Sequence, residues 1–177
     1  MMIKNTDGVK PGNFSDIKWL SQITDLLVYS NIDNIGLSLA IKDGGKWIDG
    51  GGTYTLDETK VFDAISYMVI GNRQEPSAGQ RAKQTFSELF VVRKSSTSSG
   101  LITNIFKDNK LIEEVKLWYH HSGKKVEDCY TVTILKARIT SFFILTFNRE
   151  PYEIIAFSYE GDLVVSSSQT VPTTFTC

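Results

Sequence analysis

Between residues 111 and 165 the chain alternates apolar and polar side chains with a period of two, and the later part of this stretch is apolar at both phases. Val115, Leu117 and Tyr119 fall on one face of residues 111–120, and Tyr130, Val132 and Ile134 on one face of residues 128–136. Ser122-Gly123-Lys124-Lys125 supplies the turn between them, so the pair reads as an antiparallel hairpin. Residues 138–148 and 152–165, linked through Glu150-Pro151, repeat the pattern. In residues 140–147, Ser141, Phe143, Leu145 and Phe147 share one face while Phe142 and Ile144 occupy the other. Tyr152, Ile154 and Ala156 likewise oppose Ile155, Phe157 and Tyr159. A strand with water on one side does not read this way, so both faces must be covered. Two closures are open: another copy of the chain, or the irregular segment 31–80 folded over the second face.

The rest of the chain adds little helix. Residues 22–30 are rich in strand formers, and Gly44-Gly45 joins residues 37–41 to 46–48 as a hairpin turn. Gly50-Gly51-Gly52 reads as a flexible connector. Residues 57–71 place Val61, Phe62, Ile65, Met68 and Val69 at helical intervals behind an Asp57 N-cap, although residues 67–70 read equally as strand. Residues 72–80 form a polar loop, and residues 85–94 a strand. Ser98 or Ser99 then caps a helix within residues 97–107, with Leu101, Ile102, Ile105 and Phe106 as its apolar stripe. The fold class expected is mainly β: one domain over residues 1–177, an antiparallel β-barrel or sandwich with one short α-helix (97–107) and a long loop insertion at 31–80.

Charge and motifs exclude more than they suggest. With 19 Lys+Arg against 20 Asp+Glu, the chain has no net positive field for nucleic acid or anionic lipid. Its longest apolar run, residues 142–147, is far short of the roughly 20 residues that span a bilayer. Residues 1–10 lack the apolar core of a signal peptide. His120 and His121 are adjacent, so on a strand they point apart and do not chelate one metal easily. Cys129 with one of these histidines and Asp128 has the residue types of a thiolate nucleophile, but no helix N-terminus or glycine elbow presents it, and a half-buried strand cysteine is the better reading. The serines of residues 95–99 lack a nucleophile elbow, and the triple glycine lacks the Lys-Ser/Thr of a phosphate loop. Trp118, Tyr119, Lys116 and Lys124 interleave aromatic and basic groups, yet near-neutral charge favours packing over a nucleic-acid platform. No catalytic, metal or cofactor residue is expected.

The order of the pieces resembles the haemolysin-coregulated protein (Hcp) family, the tube protein of bacterial type VI secretion. The resemblance rests on an opening Met2-Ile3-Lys4 with the turn Asp7-Gly8-Val9-Lys10-Pro11-Gly12, then Asp25-Leu26-Leu27-Val28-Tyr29-Ser30 and a glycine-bearing excursion ending at Arg81. Its most telling part is Phe86-Ser87-Glu88-Leu89 running through Arg93-Lys94 to Ser99-Gly100-Leu101-Ile102. Residues 115–119, Gly123, residues 130–135, residues 137–139 and residues 153–159 follow in family order. Gly100 replaces the usual Pro at the helix start, Ser96 replaces an acidic residue, and the excursion is longer than usual.

The resemblance implies a mechanical role without chemistry. It implies homo-hexameric rings that stack into a tube, with a spike protein, a contractile sheath and effector proteins as partners. It also implies a cytoplasmic protein that leaves the cell by a signal-peptide-independent route when the system fires. Subunit contacts are expected from the excursion (Gly44, Gly45, Gly50, Gly51, Gly52, Thr53, Tyr54) and from the two-faced strands (Phe143, Leu145, Phe157, Tyr159). The alternative is a monomeric small-molecule-binding β-barrel with Phe143, Phe157 and Trp118 around an internal pocket.

Overall fold

A computed structural model describes residues 36–69, 71–73, 84–86, 88–120, 129–147, 149–167 and 170–175. The expected strand at 22–30, the N-terminal piece, the turn at 122–125, His121, Arg81 and Cys177 lie outside them.

In chain order the strands are β1 (Gly36–Asp43), β2 (Lys46–Trp47), β3 (Thr55–Leu56), β4 (Thr59–Lys60), β5 (Phe62–Ala64), β6 (Ser66–Met68), β7 (Gly71–Arg73), β8 (Gln84–Phe86) and β9 (Leu89–Lys94). Helix α1 (Ser99–Lys107) precedes β10 (Ile112–His120), β11 (Thr131–Phe147), β12 (Glu150–Tyr159), β13 (Leu163–Ser167) and β14 (Thr170–Phe175). The main sheet runs β2-β1-β10-β11-β12-β9-β6, with antiparallel pairing at each step. β13 pairs the start of β11 and carries β14.

The sheet curls because one short kinked segment serves both of its ends. β5 pairs β1 through Leu39↔Phe62, and β6, one residue further on, pairs β9 through Ser66↔Val92. The described residues do not form a closed barrel. Inside the curl, Leu39, Ile41, Leu89, Val91, Leu117, Ile134, Ile155 and Phe157 are fully buried, and α1 closes the layer with Ile102 and Ile105. Each such side chain contributes about 1.5–3 kcal/mol on burial.

The alternation and glycine signals translate well. β1 and β2 meet at Gly44 and Gly45, whose φ of 56° and 74° suit the tight turn that a right-handed ribbon twist requires. β10 and β11 form the expected hairpin, with Leu117 opposite Val132. α1 lies within the expected 97–107, but only Ile102 and Ile105 of its stripe are buried; Leu101 and Phe106 are 43% and 38% exposed.

Five expectations change. Residues 85–94 are not a single strand: β8 pairs β7 in a separate two-stranded sheet, while β9 lies in the main sheet. No helix forms over residues 57–71: Asp57 and Glu58 take left-handed φ values of 47° and 66° in the β3–β4 turn, and β4, β5 and β6 follow. The apolar spacing there serves two covered faces, since Phe62 enters the main core while Val61 packs in a separate outer cluster. Segment 31–80 is not a loop insertion in its described part, because it supplies β1 to the main sheet and the segment that bridges the sheet's ends. Residues 131–147 are one 17-residue strand where two were expected. A register shift between Ile139 and Ser141 bends it, so that its first part pairs β10 and its second part β12. Residues 152–165, expected as one strand, break at Gly161, whose N–H donates to Leu135 O at 3.1 Å and where an added Cβ would come within 2.9 Å of Leu135.

Candidate assembly surfaces

The excursion after β1 is bound to its own chain. Gly45 N–H donates to both carboxylate oxygens of Glu113, at 3.0 and 3.1 Å, and Lys110 pairs with Asp43. Gly50 N donates to Lys60 O at 2.7 Å, Gly52 N to Val61 O at 2.8 Å, and Val61 N to Tyr54 O at 2.9 Å. Thr53 uses its N–H and its hydroxyl on the two carboxylate oxygens of Asp63, both at 2.9 Å. A Cβ on Gly52 would stand 2.1 Å from Val61 O, and one on Gly50 would stand 2.5 Å from the Phe62 ring. The triple glycine, read as a flexible connector, is a site of close backbone approach. Gly51, at φ 64°, is its exposed turn residue.

This folded-back segment seals the outer face of β1 and β10. Ala40, Val61, Trp118 and Cys129 are buried there beneath Trp47, Tyr54 and Leu56. Tyr54 stacks on His120 with ring centroids 3.7 Å apart and lies against Gly36. Trp47 donates its indole N–H to Asp57 at 2.9 Å. On this half of the sheet the cover over the outer face comes from segment 31–80.

The β11–β12 half closes differently. Phe143 and Leu145 are half-buried and pack with Ile65, Phe90 and Tyr152 around Ile154 and Val92. Phe142 turns to the main core and meets the Phe106 ring at 6.4 Å. Ile144 is 68% exposed, the most exposed large apolar side chain among the described residues. Of the residues expected at a subunit contact, Phe157 is wholly buried in the chain's own core and has no surface to offer a neighbour. Tyr159 is half-buried against that core. Gly44, Gly45, Gly51 and Thr53 are exposed, whereas Gly50 is buried.

Cys129 is 2% exposed and packs among Ala40, Val61 and Trp118, so substrate does not reach its thiol. Among the described residues no group of three His, Cys, Asp or Glu side chains is placed to hold a metal. Phe143, Phe157 and Trp118 belong to three separate apolar clusters and do not line one pocket. None of the described helices is long and apolar enough to cross a membrane.

Two polar features escaped the sequence reading. Arg93 and Glu153 face each other across β9 and β12 on the inward phase, with side chains 2% and 1% exposed and Arg93 Nε 3.5 Å from Glu153 Oε2. Burial lowers the Arg93 pKa from its ordinary value, against the raising influence of Glu153 and Asp63. The signal was present, since Arg93 continues the inward series Leu89, Val91 and Glu153 precedes Ile155, Phe157, but their pairing depends on a register no local pattern gives. The second feature is a tyrosine group. Burial, then Tyr130, raises the Tyr67 pKa well above the usual tyrosine range, and burial likewise raises that of Tyr119, whose ring lies 6.2 Å from Tyr67.

No curated relative matches the chain in sequence. Solved structures with the same fold include an Hcp1 protein of E. coli EAEC 042 carrying two tryptophan substitutions, at TM-score 0.65 and 10% identity over 80% of this chain and 98% of that one. Hcp1 from Salmonella typhimurium matches at TM-score 0.60 and 14% identity over 80% and 92%. The secreted protein Hcp3 from Pseudomonas aeruginosa matches at TM-score 0.54 and 12% identity over 80% and 97%. The model of the family described as type VI secretion system effector, Hcp, matches residues 48–162, from the folded-back excursion to the turn after β12. With more than half of its length matched in sequence and its curled antiparallel sheet shared with these structures, the chain belongs to the Hcp family of type VI secretion proteins.

Proposed function

We propose that this protein is a structural subunit of the type VI secretion tube, assembling as homo-hexameric rings that stack and carry effector proteins in the lumen. The observation that carries the reading is the uneven closure of the sheet. The excursion covers the outer face of β1 and β10, while near the β11–β12 hairpin end Phe143 and Leu145 are only half-buried on the outer face and Ile144 is exposed on the other. Apolar surface at a sheet end is what a sister subunit removes from water, and joining copies around a ring also removes exposed strand edges.

The contact surface then comprises Phe143 and Leu145 on one face of the β11–β12 hairpin and Ile144 on the other, with Tyr159 at the opposite end of β12 beside Ala137. The exposed turns at Gly44, Gly45 and Gly51, with Gly52, Thr53 and Tyr54, form the arm toward the adjacent subunit. Phe157 and Gly50 support these surfaces from within. Residues 1–177 act as one tube domain with no catalytic role. Spike protein and contractile sheath are its partners in the machine, and it passes from cytoplasm to exterior when the sheath contracts.

Negative-stain electron microscopy of the purified protein tests this. Six-membered annuli are the expected result. Featureless monomers at every concentration, with unfolding raised in temperature by a small apolar ligand, would favour the monomeric binding barrel instead.

A further inference from the structure

The buried Arg93–Glu153 pair is poorly built for stability. Its nearest approach is 3.5 Å, neither Glu153 oxygen accepts a hydrogen bond, and Arg93 Nε and Nη1 donate none among the described residues. A buried ion pair recovers its desolvation cost only when hydrogen bonds satisfy both partners. Apolar side chains of similar volume would hold β9 to β12 at least as well.

A second cost falls at the same place. Ser98 is the N-cap of α1, where a hydroxyl ordinarily accepts a first-turn N–H, yet it makes no such bond, and the first turn has no acidic residue. Its Oγ instead accepts from Arg93 Nη2 at 3.0 Å, and the Ser96 hydroxyl accepts from the same nitrogen at 2.6 Å. The guanidinium also lies over the Phe62 ring, 5.1 Å from its centroid, on the segment that bridges the two ends of the sheet.

We propose that Arg93 is a positioning residue. Glu153 faces it across β9 and β12, and the guanidinium fixes the path of residues 95–98 and so seats α1 against the bridging segment. A helix cap and a tighter core are given up for this placement. The planar fork matters, because a lysine ammonium is a point charge on a flexible stem and does not reproduce the shared geometry at two hydroxyls and a ring face.

Thermal unfolding and amide hydrogen exchange of the full chain test the proposal. Arg93→Met lowers the unfolding temperature, since it leaves the Glu153 carboxyl group buried without its partner. The double variant Arg93→Met/Glu153→Met unfolds at or above the wild-type temperature, yet its amides in residues 96–102 exchange roughly tenfold faster or more. Arg93→Lys keeps the ion pair and unfolds closer to wild type, with the same fast exchange. Ser96→Ala/Ser98→Ala leaves the pair intact, sacrifices no cap, and also exchanges faster in residues 96–102. A double methionine variant that loses as much as Arg93→Met with exchange unchanged would overturn the proposal. Wild-type exchange in the double serine variant would overturn it whether or not the Arg93 variants fold. Neither readout depends on ring assembly.

Discussion

Two halves of the sheet close their outer faces by different means. On β1 and β10 the outer phase holds Ala40 and Trp118, and the chain's own excursion covers them with Trp47, Tyr54 and Leu56. On β11 and β12 the outer phase holds Phe143, Leu145 and Ile154, with Phe143 and Leu145 only half-buried, and on the opposite phase Ile144 stands 68% exposed near the hairpin end. Apolar residues at both phases therefore state that a second face is covered without stating by what. The cover over the first half depends on glycines that let backbone approach backbone, which a hydrophobic pattern does not record.

The sharpest separation of the two halves comes from paired truncations. Phe157→Ala, inside the core, should cost about 3–5 kcal/mol in urea-induced unfolding of the chain. Ile144→Ser should stay within about 0.5 kcal/mol in the same measurement, as surface changes do, while shifting ring formation to higher protein concentration in light scattering. Equal costs at the two positions would mean that Ile144 is covered by the chain itself.

The cover on the first half is tested at its tightest point. Gly52→Ala places a methyl group 2.1 Å from Val61 O, so the excursion must shift. A loss of about 1–3 kcal/mol, the cost typical of overpacking, is expected. Trp47 and Trp118 fluorescence should report greater exposure of this cluster, and an unchanged spectrum would contradict the sealed face.

A smaller effect concerns alkaline pH. The folded chain holds the protons of Tyr67 and Tyr119 at pH values where the unfolded chain releases them, because both groups have raised folded-state pKa values. Their contribution to stability is whole below about pH 10 and is lost as pH rises from there toward the folded-state values. Tyr67→Phe should flatten that decline in a series of thermal melts, and an identical decline in the variant would remove Tyr67 as its source.

What was legible in the sequence was local. The glycine turn at 44–45, the β10–β11 hairpin and α1 each rest on residues within one or two turns of each other, and each is where the pattern puts it. Residues 57–71 misled because Val61, Phe62 and Ile65 satisfy helical spacing while packing into three separate clusters along an extended chain. The single long β11 was hidden by a bulge that carries no glycine or proline. The pairing of Arg93 with Glu153 depends on a long-range register, and the approach of Gly52 to Val61 on a fold-back that no hydrophobic pattern records. Of the candidate contact surface, the apolar stretch around Phe143 and Leu145 was readable from two-phase alternation, whereas Phe157 shares that alternation and lies in the core.

The central claim is that the β11–β12 end meets another copy of the chain. Light scattering of the eluting protein over a range of concentrations tests it most directly. A species of six times the 19.9 kDa chain is expected, and Ile144→Ser should dissociate it. A single 19.9 kDa species for the wild type at every concentration would contradict it.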